Sequence, residues 1–387
     1  MLPAVVQRLR ESENLFESNM LYLFYVGLWR DEDLSKPKKI MYKIFEYSQH
    51  LFSVIFLIVS GIGTFRIHND LTVFLANIDK SIVAYNYLIK VILFIIKRNE
   101  LNNLIDEIIE SGDVVTKKSS KDMFDHLVLI TVLNSAVMII FSTVGLLEDE
   151  MTVEAWMPFD AKKNKTSLAT SAQILALLFC IPFSYRAIGM QGIVCSLLIY
   201  LCDQLVYLQE KLRNLKYEKE SEFVTRNELR MILKKHIRLM RYATSMEKMF
   251  KEYFLVQNLA VTMELCLNAM MVTVGWEQKS LFAGFIVFLG LALLNAYIYC
   301  YLGHELMDQS VKISQAAYDA DWTDWPVDMQ KSILLIINVA QRPFQMSAGG
   351  IAVINMVTYG AVGIFNITYY MCKQVMIISH FTDHNFT

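Results

Sequence analysis

Residues 254–302 read FLVQNLAVTMELCLNAMMVTVGWEQKSLFAGFIVFLGLALLNAYIYCYL. Two apolar runs, Phe254–Trp276 and Leu281–Leu302, are separated only by Glu277, Gln278, Lys279 and Ser280. Each is about as long as the ~20 residues that cross ~30 Å of hydrocarbon as a helix. Neither alternates in polarity, as the ~10-residue strands of a membrane barrel do. A chain in lipid must satisfy its own backbone polar groups, so the pair reads as a tight helical hairpin.

Five further stretches of this kind flank the hairpin: Ile44–Thr64, Leu71–Ile96, Leu127–Leu147, Leu168–Leu201 and Gly349–Ile377. The reading is an all-α membrane protein, a single seven-helix transmembrane domain over residues 1–387. Composition agrees: hydrophobic residues make up 55% and charged residues 19%, against ~45–50% and ~25% in soluble domains. Mean hydropathy is +0.36. The 23 Phe, 19 Tyr and 5 Trp exclude a disordered chain. A net charge of −2 provides no field to gather nucleic acid. Six cysteines over this length make no disulfide framework. Residues 1–20 carry Arg8, Arg10, Glu11, Glu13 and Glu17 and have no apolar core. They are no signal peptide, and the first helix is expected to act as the insertion signal.

Orientation follows from lysine and arginine. With the N-terminus in the cytoplasm, 27 of them fall inside and 6 outside, while Lys80, Lys90 and Arg186 lie within spans. The C-terminus is then extracellular. Two glycosylation sequons, Asn164-Lys165-Thr166 and Asn385-Phe386-Thr387, fall on the outer side. Such a short pattern also arises by chance; agreement with the charge count is what makes it useful.

Residues 203–250 place Leu205, Leu208, Leu212, Leu215, Leu229, Ile232 and Leu239 at helical spacing among charges. They read as a cytoplasmic helical extension packed on its neighbours, or as a basic helix lying on anionic lipid. Residues 329–342 are apolar but too short to span, and they stop at Arg342-Pro343. Ala348-Gly349-Gly350 then opens the last span, residues 349–377. The last helix is therefore broken into a short cytoplasmic piece and a transmembrane piece.

Enzyme chemistry is missing. His304-Glu305 lacks a second histidine for zinc, and Asp319, Asp321 and Asp324 lack the glycine and terminal glutamate of a calcium loop. His380 and His384 read as a polar tail. There is no phosphate loop, dinucleotide fingerprint or nucleophile elbow. No cofactor and no metal are expected. Ionisable groups in hydrocarbon are costly. Lys80 and Arg186 either face the bundle, paired with backbone or Asp79, or line a water-filled path. Lys90, near the inner end of its span, can snorkel.

The last third is the most specific part. Ser310, Ala317-Tyr318, Trp322, the 329–342 helix, Arg342-Pro343, Ala348-Gly349-Gly350 and the closing Thr368-Tyr369-Tyr370 follow one another in order. This series resembles the C-terminal signature of the insect odorant receptor family. The resemblance implies a subunit of a ligand-gated, non-selective cation channel of the cell membrane. Four subunits, tuning subunits together with a shared olfactory co-receptor, would form a heterotetramer around one pore lined by the last helix. It also implies sensory transduction in olfactory neuron dendrites. The co-receptor carries a long insertion between spans four and five; this chain has a compact helical loop there and looks like a tuning subunit. Carried over by position, the co-receptor's outer pore residues fall on Cys372, Val375 and Met376. Val375 stands where the co-receptor has glutamine, which implies that selectivity rests on the co-receptor.

The resemblance further implies a small volatile ligand, apolar or weakly polar, in the outer half of the bundle. In span two Ser81, Ala84, Tyr85 and Leu88 share a face. In span three Asn134, Met138, Phe141 and Gly145 do, and in span four Ile174, Leu178 and Ile181 lie above Pro182, which can kink the helix. Met270, Thr273 and Phe285 sit at matching depth in spans five and six. Tyr85 and Asn134 offer the hydrogen bonds. Partners are thus the co-receptor, the ligand and membrane lipid. Three alternatives stand beside this. A G-protein-coupled chemoreceptor would need an outer N-terminus, an Asp/Glu-Arg-Tyr after span three and a proline in span seven; Leu146-Leu147-Glu148-Asp149-Glu150 stands after span three and span seven has no proline. A gustatory-type channel would follow Thr368-Tyr369 with five apolar residues, which Lys373 interrupts. A transporter would show internal repeats, and none is seen.

Overall fold

The computed structural model describes residues 16–29, 35–69, 71–147, 149, 151, 153–274 and 279–361. The side chains of residues 71, 72, 76, 79, 80, 141, 144, 147 and 268–289 lie outside this description. A short α1 (Glu17–Tyr25) precedes α2 (Lys36–Arg66), α3 (Leu71–Glu110) and α4 (Lys117–Leu147). Then come α5 (Lys165–Phe179), a wide π-turn (Cys180–Tyr185), α6 (Arg186–Arg213), α7 (Glu222–Val274), α8 (Lys279–Tyr318) and α9 (Val327–Ala340).

The helices outrun the apolar stretches that specify them. At 1.5 Å per residue the 53 residues of α7 reach about 80 Å, more than twice the hydrocarbon thickness. Residues 203–250 are the abutting ends of α6 and α7, broken at 214–221. By length and composition alone, Lys36–Arg66, Lys117–Ile140 and Lys165–Arg213 qualify as membrane spans among the described residues. In α3 and α7, Lys90 and Glu264 interrupt the apolar runs.

Span four is not one continuous helix. Pro182 lacks an N–H and its ring crowds the preceding turn, and the chain widens into the π-turn at that point. Beyond it α6 is buried on every side from Arg186 to Leu198. An all-round apolar helix seeks the centre, and α6 takes it, with α1, α4, α7 and α8 packed around it.

The last helix starts later than Gly349, the position expected from the sequence. Ser347–Ala348 and Ala352–Val353 pair antiparallel. Gly349 and Gly350 turn the chain between them at φ +63° and +73°, a region that side chains with a Cβ avoid. Helix resumes at residues 356–361, capped by Asn355, whose Oδ1 accepts from the Thr358 amide at 2.9 Å. The short piece is α9, so the break between the two pieces is a β-hairpin. The hairpin is tied to α7: Glu247 accepts from the Ser347 amide at 2.7 Å, and the Gly349 amide donates to the Lys251 carbonyl at 2.8 Å.

Candidate functional site

The π-turn sets the depth of the site. It delivers α6 beside the middle of α3, α4, α7 and α8, and a cavity remains where the five meet. From α3 it receives Val83, Asn86, Tyr87 and Lys90, spaced i, i+3, i+4, i+7 and hence on one face. From α4 come Ile130, Asn134 and Met138, and from α6 Ile188 and Gln191. From α7 come Tyr253, Gln257 and Glu264, and from α8 Leu294 and Asn295. The free space is about 70 Å³.

Its electrostatics centre on Lys90, which is 3% exposed. The ammonium donates to Gln257 Oε1. It also lies 5.0 Å from the Tyr253 ring centroid and 5.7 Å from that of Tyr87, where the ring faces attract a cation. Glu264 interacts with it electrostatically. Lys90 therefore does not snorkel: pairing inside the bundle replaces the water that a snorkelling lysine would reach. Asn134 donates to Ser184 Oγ on the π-turn. Tyr253 and Tyr299 share a hydroxyl–hydroxyl bond of 2.9 Å.

Of the ligand residues read from the sequence whose side chains are described, Asn134 and Met138 line this cavity. Ser81, Ala84, Tyr85 and Leu88 lie two positions out of phase with the lining residues, about 200° around the helix. Tyr85 is exposed and does not offer its hydroxyl to the cavity. Ala84, Leu88 and Leu178 instead join an apolar cluster with Phe56, Leu175 and Phe183. Ser81 donates to its own helix at the Asn77 carbonyl, 2.8 Å away. Ile174 is exposed, and Ile181 and Gly145 are half-buried away from the lining. Phe141, Met270, Thr273 and Phe285 have side chains outside the description. Cys372, Val375, Met376 and Asn385 lie outside the described residues. Lys90, Gln191, Gln257 and Glu264 line the cavity and are not among the ligand residues read from the sequence; polar residues recurring on one face of an otherwise apolar span were the available signal.

Arg186 is fully buried, with Nη2 donating to the Gly27 carbonyl at 3.1 Å. Of its two readings, it takes the one paired with backbone. Lys80 has its side chain outside the description. Asn164 is exposed at the start of α5.

A second polar cluster joins the α3–α4 turn to α6 and α7. Asp113 accepts from Tyr200 at 2.8 Å, Lys235 at 3.1 Å and Arg238 at 2.7 and 2.9 Å. Burial works to raise its carboxyl pKa, but the Tyr200 hydrogen bond and the two cations outweigh it and hold the group below its ordinary value. Asp203 accepts from the Thr116 and Ser119 hydroxyls at 2.6 and 2.7 Å. Among the described residues no group of acidic, histidine or cysteine side chains is arranged to hold a metal.

A bundle of long helices with apolar exteriors and a buried polar cavity has the build of a multi-pass membrane protein. The comparisons make the class specific. The family model described as "7tm Odorant receptor" matches residues 70–367, and the chain belongs to this family, a family of receptors and not of enzymes. Among curated relatives, Odorant receptor 30a of Drosophila melanogaster is 28% identical over 151 residues. The match spans 38% of this chain and 39% of that one. Odorant receptor 85f of the same species is 24% identical over 38% of this chain and 34% of its own length. The fold matches the insect olfactory receptor OR5 from Machilis hrabei in complex with eugenol, with a TM-score of 0.76. The identity there is 17%, over 96% of this chain and 99% of that chain. At that identity the likeness shows the fold alone.

Proposed function

We propose that this chain is the odorant-binding subunit of a heteromeric, ligand-gated, non-selective cation channel. The observation that carries the reading is the partly polar cavity at the meeting of five helices in an odorant receptor chain. A small molecule held there touches α7, and α7 also holds the hairpin that starts the last helix. The N-terminus is cytoplasmic and the C-terminus extracellular, as the 27-to-6 charge split supports. The last helix, with Cys372, Val375 and Met376, contributes to the pore. A shared co-receptor supplies the other subunits of a heterotetramer in the plasma membrane of olfactory neuron dendrites. Asn164 and Asn385 carry glycans. In this orientation the cavity sits at mid-depth and toward the cytoplasmic side, deeper than the outer half that the sequence suggests.

The test is whole-cell current under an odorant panel, with this chain alone and with the co-receptor, and with a non-hydrolysable GDP analogue, which holds G proteins inactive, in the pipette. Fast cation current that requires the co-receptor and ignores the nucleotide is the expected result. Current abolished by the nucleotide sinks the channel reading in favour of a G-protein-coupled receptor.

A further inference from the structure

The first turn of α4 is tied to the centre of the bundle through one carboxylate. Thr116 stands just before Lys117–Leu147 and caps it, its hydroxyl oxygen accepting from the Ser119 amide at 3.3 Å. The Thr116 and Ser119 hydroxyls both donate to Asp203 Oδ1 of α6, at 2.6 and 2.7 Å. The Thr116 amide and Gln204 donate to Oδ2, at 3.3 and 3.1 Å. Asp203 is 8% exposed, and these donors are all neutral. A buried carboxylate held in this way depends on each hydroxyl keeping its proton.

The sequence around those hydroxyls has a second property. Lys117-Lys118-Ser119-Ser120-Lys121 sets lysines on both sides of Ser119. Lys117 and Lys118 are exposed, Ser119 is half-buried, and the Lys121 side chain is 54% exposed. Residues 111–116 are turn and irregular chain, so the helix end can fray locally and present its hydroxyls. A serine flanked by exposed basic residues is what basophilic kinases read.

Phosphorylation would turn a donor into an anion. The Ser119 Oγ attacks the γ-phosphorus of ATP, the bond from that phosphorus to the β-phosphate oxygen breaks, the hydroxyl proton passes to the kinase's base and ADP leaves. The product carries a charge of about −1.5 to −2, on a group that stands 2.7 Å from Asp203 Oδ1. A helix N-terminus favours a phosphate, and alone that would tighten the turn. The like charge of Asp203 opposes it. Burial decides between them, because the carboxylate is screened less than the exposed helix end.

Resting on the cytoplasmic placement of this turn proposed above, we propose that Ser119 is a phosphorylation site for a basophilic serine/threonine kinase, and that its phosphate repels Asp203 and releases the α3–α4 turn from α6. The same turn carries Asp113, which holds Lys235 and Arg238 of α7, so the modification reaches the helix that borders the cavity.

The full-length receptor in nanodiscs, where both faces are open to solvent, is incubated with ATP and the protein kinase A catalytic subunit or protein kinase C. Peptide mapping by mass spectrometry should find phosphate on Ser119, and the phosphorylated receptor should melt about 2–4 °C lower. Ser119→Asp should melt below Ser119→Ala, which loses the same hydrogen bond without gaining charge. In an Asp203→Asn background the two should melt together. Ser120→Asp is the control: it adds the same charge to the same helix end and should not lower the melting temperature. If Ser119→Asp does not fold, the wild type before and after kinase treatment carries the test. No phosphate on Ser119, phosphate without a lower melting temperature, or a Ser119→Asp penalty that persists in Asp203→Asn would overturn the inference. Phosphate in nanodiscs, none on receptor from kinase-stimulated cells and no glycan on Asn164 would leave the site standing and sink the cytoplasmic placement. The same pattern with Asn164 glycosylated would overturn the site.

Discussion

Replacing Asp113 by alanine should loosen the joint between the α3–α4 turn and the two central helices. The side chain is 7% exposed and accepts four hydrogen bonds, three of them from cations. Breaking a buried ion pair by deleting one partner costs about 3–5 kcal/mol. Two observations lower that figure. Arg238 is 29% exposed and can turn to water, where an ion pair contributes only about 0–1 kcal/mol. Lys235 keeps Gln204 Oε1 at 2.6 Å and the Tyr207 ring at 4.3 Å. The expected loss is therefore about 2–3 kcal/mol. At about 2 °C per kcal/mol for large domains, the receptor in nanodiscs should melt about 5 °C lower. Lys235→Met and the double variant complete a cycle, which should show about 1 kcal/mol or more of coupling. The pH dependence has a defined sign. The folded-state pKa of Asp113 is depressed, so its contribution is present above the unfolded carboxylate value and is lost only as pH falls through the lower, folded one. Between pH 5 and 8 this residue should impose no slope, using ~3.9 for the unfolded group. An Asp113→Ala receptor melting with the wild type, or a cycle that is purely additive, would refute the assignment of the network.

His236 is buried and stacks on Phe344 at 6.4 Å, and burial lowers its pKa below the ordinary 6.5. The unfolded chain then takes up the proton first as pH falls. Thermal stability should decline from about pH 6.5 downward, and His236→Gln should flatten that decline; an unchanged slope would remove His236 from the account. A β-carbon on Gly303 would stand 2.4 Å from the Ile354 carbonyl oxygen. Gly303→Ala should force α8 and the approach to the last helix apart at a cost of about 1–3 kcal/mol, read as a lower melting temperature and a smaller maximal current. Wild-type values in both would show that the contact yields freely. Asn164→Gln should shift the receptor from cells downward on a gel, as glycosidase treatment does. No shift would count against the outward placement of this loop.

Fold and site were legible to different degrees, and one physical cause explains the gap. The spans could be read because length and apolarity are both imposed by the bilayer. The break near Arg342-Pro343 and the glycine pair was also visible, since proline and glycine punctuate any helix. What glycine does not announce is whether the chain turns or continues. The hairpin depends on Glu247 and Lys251, a hundred residues away, and local sequence could not locate it. The cavity failed for a different reason. Ligand pockets are mostly apolar with few polar groups, and that expectation selected the face of Ser81, Ala84, Tyr85 and Leu88 on α3. In lipid the surroundings are as apolar as the core, so it is Asn86 and Lys90 that must turn inward. On α4 Asn134, the one amide between Ile130 and Met138, marks the face that lines the cavity.

The placement of α7 links these parts mechanically. Its Lys235 and Arg238 hold the α3–α4 turn, its Glu247 and Lys251 hold the hairpin, and its Gln257 and Glu264 face the cavity. From Lys251 to Gln257 is six residues, about 9 Å along the axis. A helix is stiff over that distance, so a ligand held against Gln257 or Glu264, as the proposed function has it, would load the same rigid body that anchors Ser347 and Gly349. The hairpin is hydrogen-bonded to that body and leads into the start of the last helix, and its two glycines have no side chains to resist rotation. A ligand can shift such an equilibrium only by its differential affinity for two arrangements. Under the proposed function, removing the Glu247 carboxylate should therefore uncouple binding from current while leaving odorant affinity intact, whereas a change at Lys90 should alter affinity first.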